Sequence, residues 1–327
     1  MKGQLVDTYG RVHKDLRISI TDRCNFRCSY CMPEDGLEWS PREDLLTFEE
    51  IERIAGLLVD RFGVESIRIT GGEPTVRANL ADLINRLAKL RVDLSMTTNG
   101  ATLSLAANRL KEAGLKRINV SLDSLRRERF AQLTRRDNLN QVLEGITTAT
   151  DVGFDPVKVN MVVMKGINDD EVLDFVEFGR TNGVIVRFIE FMPLDADEAW
   201  DERKVMPLSE ILEVISKAHG LIPVERDNSP AARWKYEDGA GEIGVIATVS
   251  DAFCDSCDRI RLTADGKFRN CLFALKHYDL RELLRDGADD DQISNLFING
   301  VKDKWEGHKI GKSVFIRPSK SMSQIGG

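Results

Sequence analysis

The sequence lacks the features that mark membrane, secreted and disordered chains. No apolar run approaches the roughly 18 residues of a membrane-spanning helix, and the segment from Met1 to Arg11 contains no apolar core typical of an export signal. Hydrophobic residues make up 42% and charged residues 30% of the chain, which excludes a disordered or collagen-like protein. We therefore expect a folded cytoplasmic protein that has no membrane as a partner.

Positive charge is also scarce. The 46 lysines and arginines are outnumbered by 53 aspartates and glutamates, the formal net charge is −7, and no long basic run occurs. This composition argues against a protein that binds nucleic acid through the phosphate backbone. Any anionic ligand must therefore be met by cations that the fold places locally.

Cysteine is rare but organised. The six cysteines form two groups of three, with the patterns Cys-x3-Cys-x2-Cys (Cys24, Cys28, Cys31) and Cys-x2-Cys-x13-Cys (Cys254, Cys257, Cys271). A disulfide framework is typical of short secreted chains, whereas this chain has 327 residues and no export signal. We interpret the two groups as thiolate metal sites.

The rest of the chain alternates apolar β-rich runs with helical periodicity, which predicts six βα units and an α/β fold. The predicted strands are 16–20, 66–70, 93–97, 117–122, 157–163 and 184–191. The predicted helices are 48–61, 79–90, 103–113, 138–152, 170–181 and 208–218. Several strands are apolar throughout, so we expect both faces of a parallel sheet to be covered. The pattern favours a partial (βα)6 barrel similar to a TIM barrel.

The alternation fails after about residue 220, where Gly, Pro and short alternating runs precede the second cysteine group. We therefore predict a barrel over 1–220 and a distinct C-terminal region over 221–327 that closes the barrel and carries the second cysteine group. The tail from Ser319, which ends in Gly326-Gly327, has the composition of a mobile end. Composition alone does not decide whether this tail frays or has a function.

Polar and metal-binding residues follow the predicted strands. In a barrel of this kind the active site lies at the carboxyl ends of the strands, which all meet at one edge. The segments that end there include Thr21-Asp22-Arg23-Cys24, Gly71-Gly72-Glu73-Pro74, Thr97-Thr98-Asn99, Ser121-Leu122-Asp123 and Glu190-Phe191-Met192, while strand five carries Lys158 and Asn160. A single site at this edge explains their placement.

The first cysteine group leaves a metal centre one ligand short. A structural zinc would need a fourth ligand, and the only nearby histidine, His13, precedes the first strand and so belongs at the opposite edge of the sheet. An iron–sulfur cluster held by three cysteines instead keeps one iron open to a further ligand. The spacing favours the cluster.

The segment Asp22-Arg23-Cys24-Asn25-Phe26-Arg27-Cys28-Ser29-Tyr30-Cys31-Met32-Pro33 resembles the signature loop of radical S-adenosylmethionine enzymes, in which three cysteines hold a [4Fe-4S] cluster. The resemblance implies that the open iron chelates the amino and carboxylate groups of S-adenosylmethionine, which is then split to give a 5'-deoxyadenosyl radical. Gly71-Gly72-Glu73-Pro74 resembles the second motif of the same enzymes, which binds the methionine amino group.

The second cysteine group has two interpretations. His277 could complete a Cys3His zinc site, and spacing alone leaves zinc open. Arg259 and Arg261, however, lie at alternate positions beside Cys257, so both face one way in an extended segment. Two guanidinium groups there offer several donors to phosphate or guanine acceptors. The arginines favour a ligand-binding centre over a closed zinc site.

Nearly the full length resembles one family, the GTP 3',8-cyclases that begin molybdenum cofactor synthesis. The further segments that carry the resemblance are Arg68-Ile69-Thr70 before the glycine turn, Thr97-Thr98-Asn99-Gly100, Asn119-Val120-Ser121-Leu122-Asp123-Ser124, Val157-Lys158-Val159-Asn160, Arg187-Phe188-Ile189-Glu190-Phe191-Met192, the second cysteine loop and Gly326-Gly327. The resemblance implies a lyase that removes the ribose 3' hydrogen of GTP and forms (8S)-3',8-cyclo-7,8-dihydroguanosine 5'-triphosphate.

The resemblance also implies two [4Fe-4S] clusters, S-adenosylmethionine as cofactor and specific ligand contacts. Contacts to S-adenosylmethionine are implied for Tyr30, Gly72, Ser121 and Met192. Contacts to GTP are implied for Arg17, Arg68, Thr97, Lys158, Arg259, Ile260 and Arg261. The open iron of the second cluster would bind the guanine edge, and the double-glycine tail would enter the active site.

The partners implied by the resemblance are a flavodoxin-like or similar electron donor and a cyclic pyranopterin monophosphate synthase that accepts the product. A homodimer is left open.

Two other functions fit parts of the sequence. A radical enzyme with an auxiliary cluster that modifies peptides is disfavoured, because such C-terminal domains usually need more than the three cysteines that remain here. A non-enzymatic, metal-stabilised binding module would be a colourless zinc protein.

Overall fold

Six parallel strands form the centre of a computed structural model that describes residues 3–33, 35–194, 200–318 and 320–326. Each of the six predicted strands is present, with ends within one residue of the prediction. They are β1 (Asp15–Ser19), β2 (Ser66–Thr70), β3 (Asp93–Thr98), β4 (Arg117–Ser121), β5 (Val157–Val163) and β6 (Ile185–Glu190). Each pairs in parallel with the next in chain order.

Helices connect these strands and cover the outer face of the sheet. The six predicted helices correspond to α1 (Phe48–Phe62), α2 (Leu80–Ala88), α3 (Leu103–Glu112), α5 (Leu139–Asp151), α6 (Val172–Asn182) and α7 (Leu208–Ser216). An additional helix, α4 (Arg127–Thr134), was not predicted. Its sequence is mostly polar and buries few apolar side chains, chiefly Phe130 and Leu133, so its apolar periodicity is weak.

The start of α1 shows how local sequence sets a helix boundary. The Thr47 side chain accepts a hydrogen bond from the Glu50 backbone N–H, and the Glu50 carboxylate accepts one from the Thr47 N–H. This capping box satisfies two of the N–H groups that a helix start leaves unpaired. Gly63, with φ of 70°, ends the helix in the left-handed region.

The C-terminal region continues the same sheet at both edges. It contributes β7 (Leu221–Pro223), β8 (Ala232–Tyr236), β9 (Glu242–Ile246), β10 (Arg259–Leu262), β11 (Lys267–Arg269) and β12 (Tyr278–Asp279). The strand order is β12, β11, β10, β1, β2, β3, β4, β5, β6, β9, β8, β7. Both β9 and β10 pair in parallel with the outer central strands, and the remaining four additions are antiparallel. The sheet that the structure describes is open, which confirms the expected partial barrel.

Three further helices complete the described chain: α8 (Leu280–Arg285), α9 (Asp290–Lys302) and α10 (Met322–Ile325). Within the described ranges, no helix combines the length and the apolar character that crossing a bilayer requires.

Side-chain alternation along the strands separates an apolar core from a polar interior. In β1, Leu16 and Ile18 are fully buried in the core cluster that also contains Ile51 and Ile54 of α1. Arg17 lies between them in sequence and therefore on the other face, where it lines a cavity. The expected cover on both faces thus takes two forms: helices pack on the outside, and C-terminal segments lie over a polar inner face.

Candidate active site

A cavity opens at the carboxyl ends of the central strands. It encloses about 1620 Å3 of space between protein atoms, including its open mouth, and all six cysteines line it. Residues from the loops after β1, β2, β3 and β4 contribute to its wall. Two cysteine groups that are more than 200 residues apart in sequence therefore face one chamber.

The structure brings most of the predicted ligand-binding residues into this wall. Besides the cysteines, the lining includes Tyr30, Gly72, Ser121, Met192, Arg17, Arg68, Thr97, Arg259 and Arg261.

Two predicted residues lie elsewhere. Lys158 is on the same face of β5 as the lining residue Asn160, but two positions earlier and therefore deeper. Ile260 is fully buried in the apolar core, because it alternates with the inward-facing Arg259 and Arg261. A contact from Ile260 to a ligand is thus limited to its backbone.

The loop that carries the first cysteines docks on the glycine turn after β2. The Gly72 N–H donates to the Thr21 carbonyl (2.7 Å) and the Glu73 N–H to the Arg23 carbonyl (2.8 Å). A Cβ atom at Gly72 would lie only 2.4 Å from the Arg23 carbonyl oxygen and 2.5 Å from that of Asp22. Glycine is required here because the two backbones touch.

Glu73 is buried and joins the turns after β2 and β3. Its carboxylate accepts hydrogen bonds from the Thr75 N–H (3.1 Å) and hydroxyl (2.7 Å), the Thr98 hydroxyl (2.7 Å) and the Asn99 N–H (2.6 Å). The Asn99 side-chain amide in turn lies 3.8 Å from the Cys24 Sγ. Glu73 therefore fixes the wall around the first cysteine group. Burial raises the pKa of this carboxyl, and its four donors oppose that rise.

The first three cysteines are half-buried, and the positive charge of Arg27 near Cys24 offsets only part of the effect of burial on its thiol. Burial raises the pKa of Cys24 to about 11 and of Cys31 to about 12, and it raises the pKa of Cys28 well above its usual range. Thiolates at these positions need compensating charge, which bound metal ions supply.

The second group differs because two cations lie beside it. Burial alone would raise the pKa of Cys257, but Arg259 and Lys304 outweigh it and lower the pKa to about 6. The Lys304 Nζ lies 3.5 Å from the Cys257 Sγ. Burial raises the pKa of Cys254.

The described residues offer no closed site for a single zinc ion. A tetrahedral zinc with Zn–S bonds of about 2.3 Å would bring its sulfurs to roughly 3.8 Å from one another. Among the described residues, no three His, Cys, Asp or Glu side chains converge closely enough to hold one metal ion, although all six cysteines are unpaired. His277 is exposed and is not part of the cavity wall, so the Cys3His alternative is not supported.

Three arginines form a row across adjacent strands on the inner face. Arg17 in β1 is the register partner of Arg261 in β10 on one side and of Arg68 in β2 on the other. Like charges at facing positions repel each other. Burial together with repulsion from Arg68 and Arg261 lowers the pKa of Arg17. Burial, with Arg117 and Arg259 adding to it, lowers the pKa of Arg68, and burial with the neighbouring Arg259 lowers that of Arg261 to about 10.

Further cations extend this row. Burial lowers the pKa of Arg187 to about 9 and that of Lys158 to about 8, with neighbouring arginines adding to both shifts. Among the described residues, the Nε atoms of Arg17 and Arg259 are buried without a hydrogen-bond partner. Asp15 is a carboxylate near several of these arginines, and the cations outnumber it, so the cavity is suited to a polyanion.

The tail is folded into the cavity as far as the structure describes it. Met322 and Ser323 of α10 line the wall, and the Gly326 carbonyl accepts a hydrogen bond from Arg261 (2.7 Å). Gly326 has φ of +84°, and a Cβ there would lie 2.9 Å from the Thr70 Cγ2. Residues 320–326 thus pack against the site, whereas the predicted role of Gly327 concerns a residue outside the described ranges.

Comparison with known proteins matches both parts of the chain to families. Residues 18–179 match the radical SAM superfamily and residues 184–310 match the family "Molybdenum Cofactor Synthesis C". The GTP 3',8-cyclase of Streptomyces coelicolor is 46% identical over 328 residues, which cover 99% of this chain and 96% of the relative. That of Rhodopirellula baltica is 47% identical over 330 residues, with 99% and 92% covered. The chain belongs to the GTP 3',8-cyclase family.

Solved structures agree on the fold. The SuiB protein of Streptococcus suis superposes with a TM-score of 0.62 at 15% identity, covering 90% of this chain and 69% of SuiB. Methylornithine synthase (PylB) gives a TM-score of 0.51 at 18% identity, covering 63% and 62%. At such low identity these similarities concern the fold alone. The family and the fold class predicted from the sequence are thus confirmed.

Several cavity residues had no role in the sequence-based assignment. Asp123 accepts a hydrogen bond from the Tyr30 hydroxyl (2.6 Å), and Arg187 donates to Asn119 (2.6 Å) and Asn160 (2.8 Å). Arg187 had a usable signal, since it is a lone charge in the otherwise apolar start of β6. Other members of the wall, such as Phe253, Thr248 and His308, carry no such signal.

Proposed function

We propose that this chain converts GTP into (8S)-3',8-cyclo-7,8-dihydroguanosine 5'-triphosphate in the first step of molybdenum cofactor biosynthesis. Membership of the cyclase family supports the reaction. The observation that carries the proposal is the single chamber in which two cysteine triads face a row of three arginines. The first triad is suited to a redox centre. The second triad, with the arginine row beside it, is suited to binding a polyphosphate next to that centre.

The first triad is the redox part of the site. Cys24, Cys28 and Cys31 would hold one [4Fe-4S] cluster, which together with S-adenosylmethionine supplies the 5'-deoxyadenosyl radical that removes the 3' hydrogen of GTP. Tyr30, Gly72, Ser121 and Met192 are the proposed contacts to S-adenosylmethionine. The buried carboxylates of Glu73 and Asp123 lie on this side, where they favour the positive charge of a sulfonium ligand.

The second triad and the cations position the substrate. Cys254, Cys257 and Cys271 would hold the second [4Fe-4S] cluster, which would supply an open iron for binding the guanine. Arg17, Arg68, Thr97, Arg259 and Arg261 are proposed to bind GTP, with Lys158 below them and Ile260 limited to its backbone. Holding the ribose between the two centres brings C3' within reach of the radical and C8 within reach of C3'.

The division of labour follows the proposed domains. We propose that residues 1–220 form the radical-generating barrel, which also supplies GTP contacts, and that residues 221–327 form a cover that adds the second cysteine group and further GTP contacts. Because β9 and β10 pair with the outer central strands, the cover is joined to the barrel through backbone hydrogen bonds at both edges. Such a cover excludes water and stray hydrogen donors from a radical reaction.

The proposed setting is a reducing compartment. Six unpaired cysteines fit the cytoplasm, where thiols stay reduced. The proposed partners are a flavodoxin-like or similar one-electron donor and a cyclic pyranopterin monophosphate synthase that consumes the product. A homodimer is a further proposal that oligomer mass measurement tests.

The deciding experiment is anaerobic reconstitution followed by turnover with GTP, S-adenosylmethionine and a chemical reductant. We expect about eight irons per chain and a cyclised nucleotide of the same mass as GTP that appears with 5'-deoxyadenosine. Modification of a peptide without any reaction on GTP would favour the peptide-modifying alternative. Stoichiometric zinc in a colourless protein would favour the binding module.

A further inference from the structure

Two buried cations hold the second cysteine loop from outside the cavity. Arg11 precedes β1, and Lys304 follows α9, so they come from opposite ends of the chain. Both are less than one tenth exposed, at 9% and 4%. Their polar contacts show what holds them in place.

Arg11 fixes the backbone of the loop. Its guanidinium donates to the carbonyls of Cys254 (2.7 Å), Trp305 (2.6 Å) and Glu306 (2.7 Å), while its Nε donates to Asp7 (2.6 Å). The Asp7 carboxylate balances its charge. Arg11 therefore ties Cys254 to the segment that follows Lys304, which keeps the lysine in place.

Lys304 points at the thiol of the triad. Its Nζ donates to the carbonyls of Arg259 (2.9 Å) and Cys257 (3.2 Å) and lies 3.5 Å from the Cys257 Sγ. Three acceptors match the three N–H groups of an ammonium ion, whereas a neutral amine has only two. The described residues place no carboxylate within ion-pair distance of this nitrogen. A buried charge without a counter-ion is costly, so the thiolates and the group they hold are its counter-charge.

In the first triad, Arg27 donates to the Cys24 carbonyl (2.7 Å), but among the described residues no cation donates to a thiol there. The hydrogen bonds that reach the Cys24 Sγ come from the Phe26 backbone N–H (3.4 Å) and the Asn99 side-chain amide (3.8 Å), and both donors are neutral. A cation that reaches a ligand sulfur in the second triad, but only a backbone carbonyl in the first, makes the two centres electronically different even when the metal clusters are chemically identical.

We propose that Lys304 is a positioning residue of the second cluster, whose charge beside Cys257 makes this cluster easier to reduce. One-electron reduction adds a negative charge to the cluster, and a nearby ammonium ion stabilises that charge. The same charge withdraws electron density from the iron and so strengthens its bond to a donor atom of the guanine. This inference rests on the proposed function, because it assumes a second cluster on Cys254, Cys257 and Cys271.

The test compares Lys304→Met, Lys304→Arg and Lys302→Met in the full-length, anaerobically reconstituted protein. Lys302 is exposed at the end of α9, so its substitution removes the same charge without touching the loop. Iron per chain is counted, and the midpoint potential of each cluster is measured by redox titration followed by electron paramagnetic resonance. The first cluster is recognised by the change of its signal when S-adenosylmethionine is added.

In Lys304→Met we expect the ratio of reduced to oxidised second cluster at a fixed potential to fall about tenfold, a shift of about 59 mV for one electron. The first cluster should keep its potential in all variants, and Lys304→Arg and Lys302→Met should resemble the unmodified protein. An unchanged second-cluster potential in Lys304→Met overturns the inference. An unmodified protein with only four irons overturns the proposed function instead.

Loss of the second cluster in Lys304→Met is also decisive. If four irons are lost there but kept in Lys304→Arg and Lys302→Met, the positive charge at this place is what the cluster requires, which supports the inference. If Lys304→Arg loses them as well, shape and packing decide the outcome, and the proposed charge effect is wrong.

Discussion

The two halves of the cavity differ in charge although they share one sheet. Around Cys24, Cys28 and Cys31 the wall offers hydroxyl groups, amides and the carboxylates of Glu73 and Asp123. Toward the second triad the wall is cationic, with the row Arg68, Arg17 and Arg261 and with Arg187 and Arg259. Each half has the charge opposite to its proposed ligand: a sulfonium on one side and a triphosphate on the other. The difference shows how a chain of net charge −7 binds a polyanion.

The contrast arises from where the residues sit on the strands. The first half consists mainly of loops beyond the strand ends, where small and neutral side chains allow close backbone contact, as at Gly72. The second half uses inward positions within strands, where a long arginine can reach the chamber while its neighbours Leu16 and Ile18 remain in the core. Loops therefore form the subsite around the first triad, and the alternation of side chains along the strands places the arginines of the cationic subsite.

Removing either cysteine triad should abolish the function of one half of the cavity, and this is the largest effect we expect. Replacing Cys254, Cys257 and Cys271 by Ala should lower the iron count from about eight to about four per chain and abolish cyclisation of GTP. Reductive cleavage of S-adenosylmethionine should continue. The reciprocal variant, with Cys24, Cys28 and Cys31 replaced, should lose that cleavage. Iron analysis and chromatography of 5'-deoxyadenosine and nucleotide products measure both. Cyclised product from the first variant would show that the halves are not specialised.

Residues 320–326 of the tail contact both halves of the cavity. Adding a single methyl group at Gly326 should uncouple radical formation in the first half from cyclisation of GTP in the second. In Gly326→Ala the new Cβ would lie 2.9 Å from the Thr70 Cγ2 and 3.0 Å from the Ser19 Cβ, at a φ of +84°. We expect cyclisation to fall by about 100-fold or more, because a displaced tail moves Arg261 and the substrate. Both clusters should still assemble, and 5'-deoxyadenosine should form without cyclised product.

Gly287→Ala is the matched control for the tail. Gly287 has a φ of +83°, but nothing lies within 4 Å of the added Cβ, so it imposes the same backbone strain outside the cavity. Full activity in Gly287→Ala with loss in Gly326→Ala assigns the effect to the crowded site. Full activity in both variants would mean that the tail does not position the substrate.

The arginine row should affect only one of the two ligands. A charge-assisted hydrogen bond contributes about 1.5–3 kcal/mol, so Arg17→Ala or Arg261→Ala should weaken GTP binding by about 10-fold to 100-fold. S-adenosylmethionine affinity should stay unchanged. Calorimetry under anaerobic conditions measures both, with the exposed Arg109→Ala on α3 as control.

Two outcomes would contradict this assignment. Equal losses of GTP and S-adenosylmethionine affinity would indicate that the arginines support the fold of the whole cavity. An unchanged GTP affinity in both variants would mean that the row binds some other anion.

Local patterns predicted much of the fold and of the site. The strand positions followed from apolar runs and the loops that bound them, and both cysteine triads followed from spacing. The alternation of Arg259 and Arg261 predicted that the two side chains share a face, and they line the same cavity. The placement of Ile260 among the ligand contacts came from family resemblance, whereas the same alternation places its side chain in the core.

Long-range pairing was beyond such patterns. The short strand β10 lies beside β1, more than 240 residues earlier in the chain, and the sequence does not specify that partner. The three-arginine row depends on that register, so it could not be seen from the sequence. Lys304 had no signal either, because a lone lysine after a helix normally marks a solvated surface.

The smallest effect concerns Lys158, which the structure places below the arginine row and outside the cavity wall. Burial and the nearby Arg187, Arg117 and Arg68 lower its pKa to about 8. The lysine is charged below this pH, and an adjacent triphosphate favours the charged form. GTP affinity should therefore be highest below pH 8 and should weaken about threefold to tenfold between pH 7 and pH 9, because binding then requires proton uptake.

Two variants separate Lys158 from titration of the nucleotide, which all the proteins share. Lys158→Arg keeps its charge across this range, and Lys158→Met carries none, so the additional pH dependence should vanish in both. Lys158→Arg should bind GTP with the affinity that the unmodified protein has at low pH, and Lys158→Met should bind more weakly at every pH. A pH profile that is identical in all three proteins would mean that Lys158 does not sense the triphosphate. The cationic half of the site would then consist only of the residues that line the cavity, without Lys158.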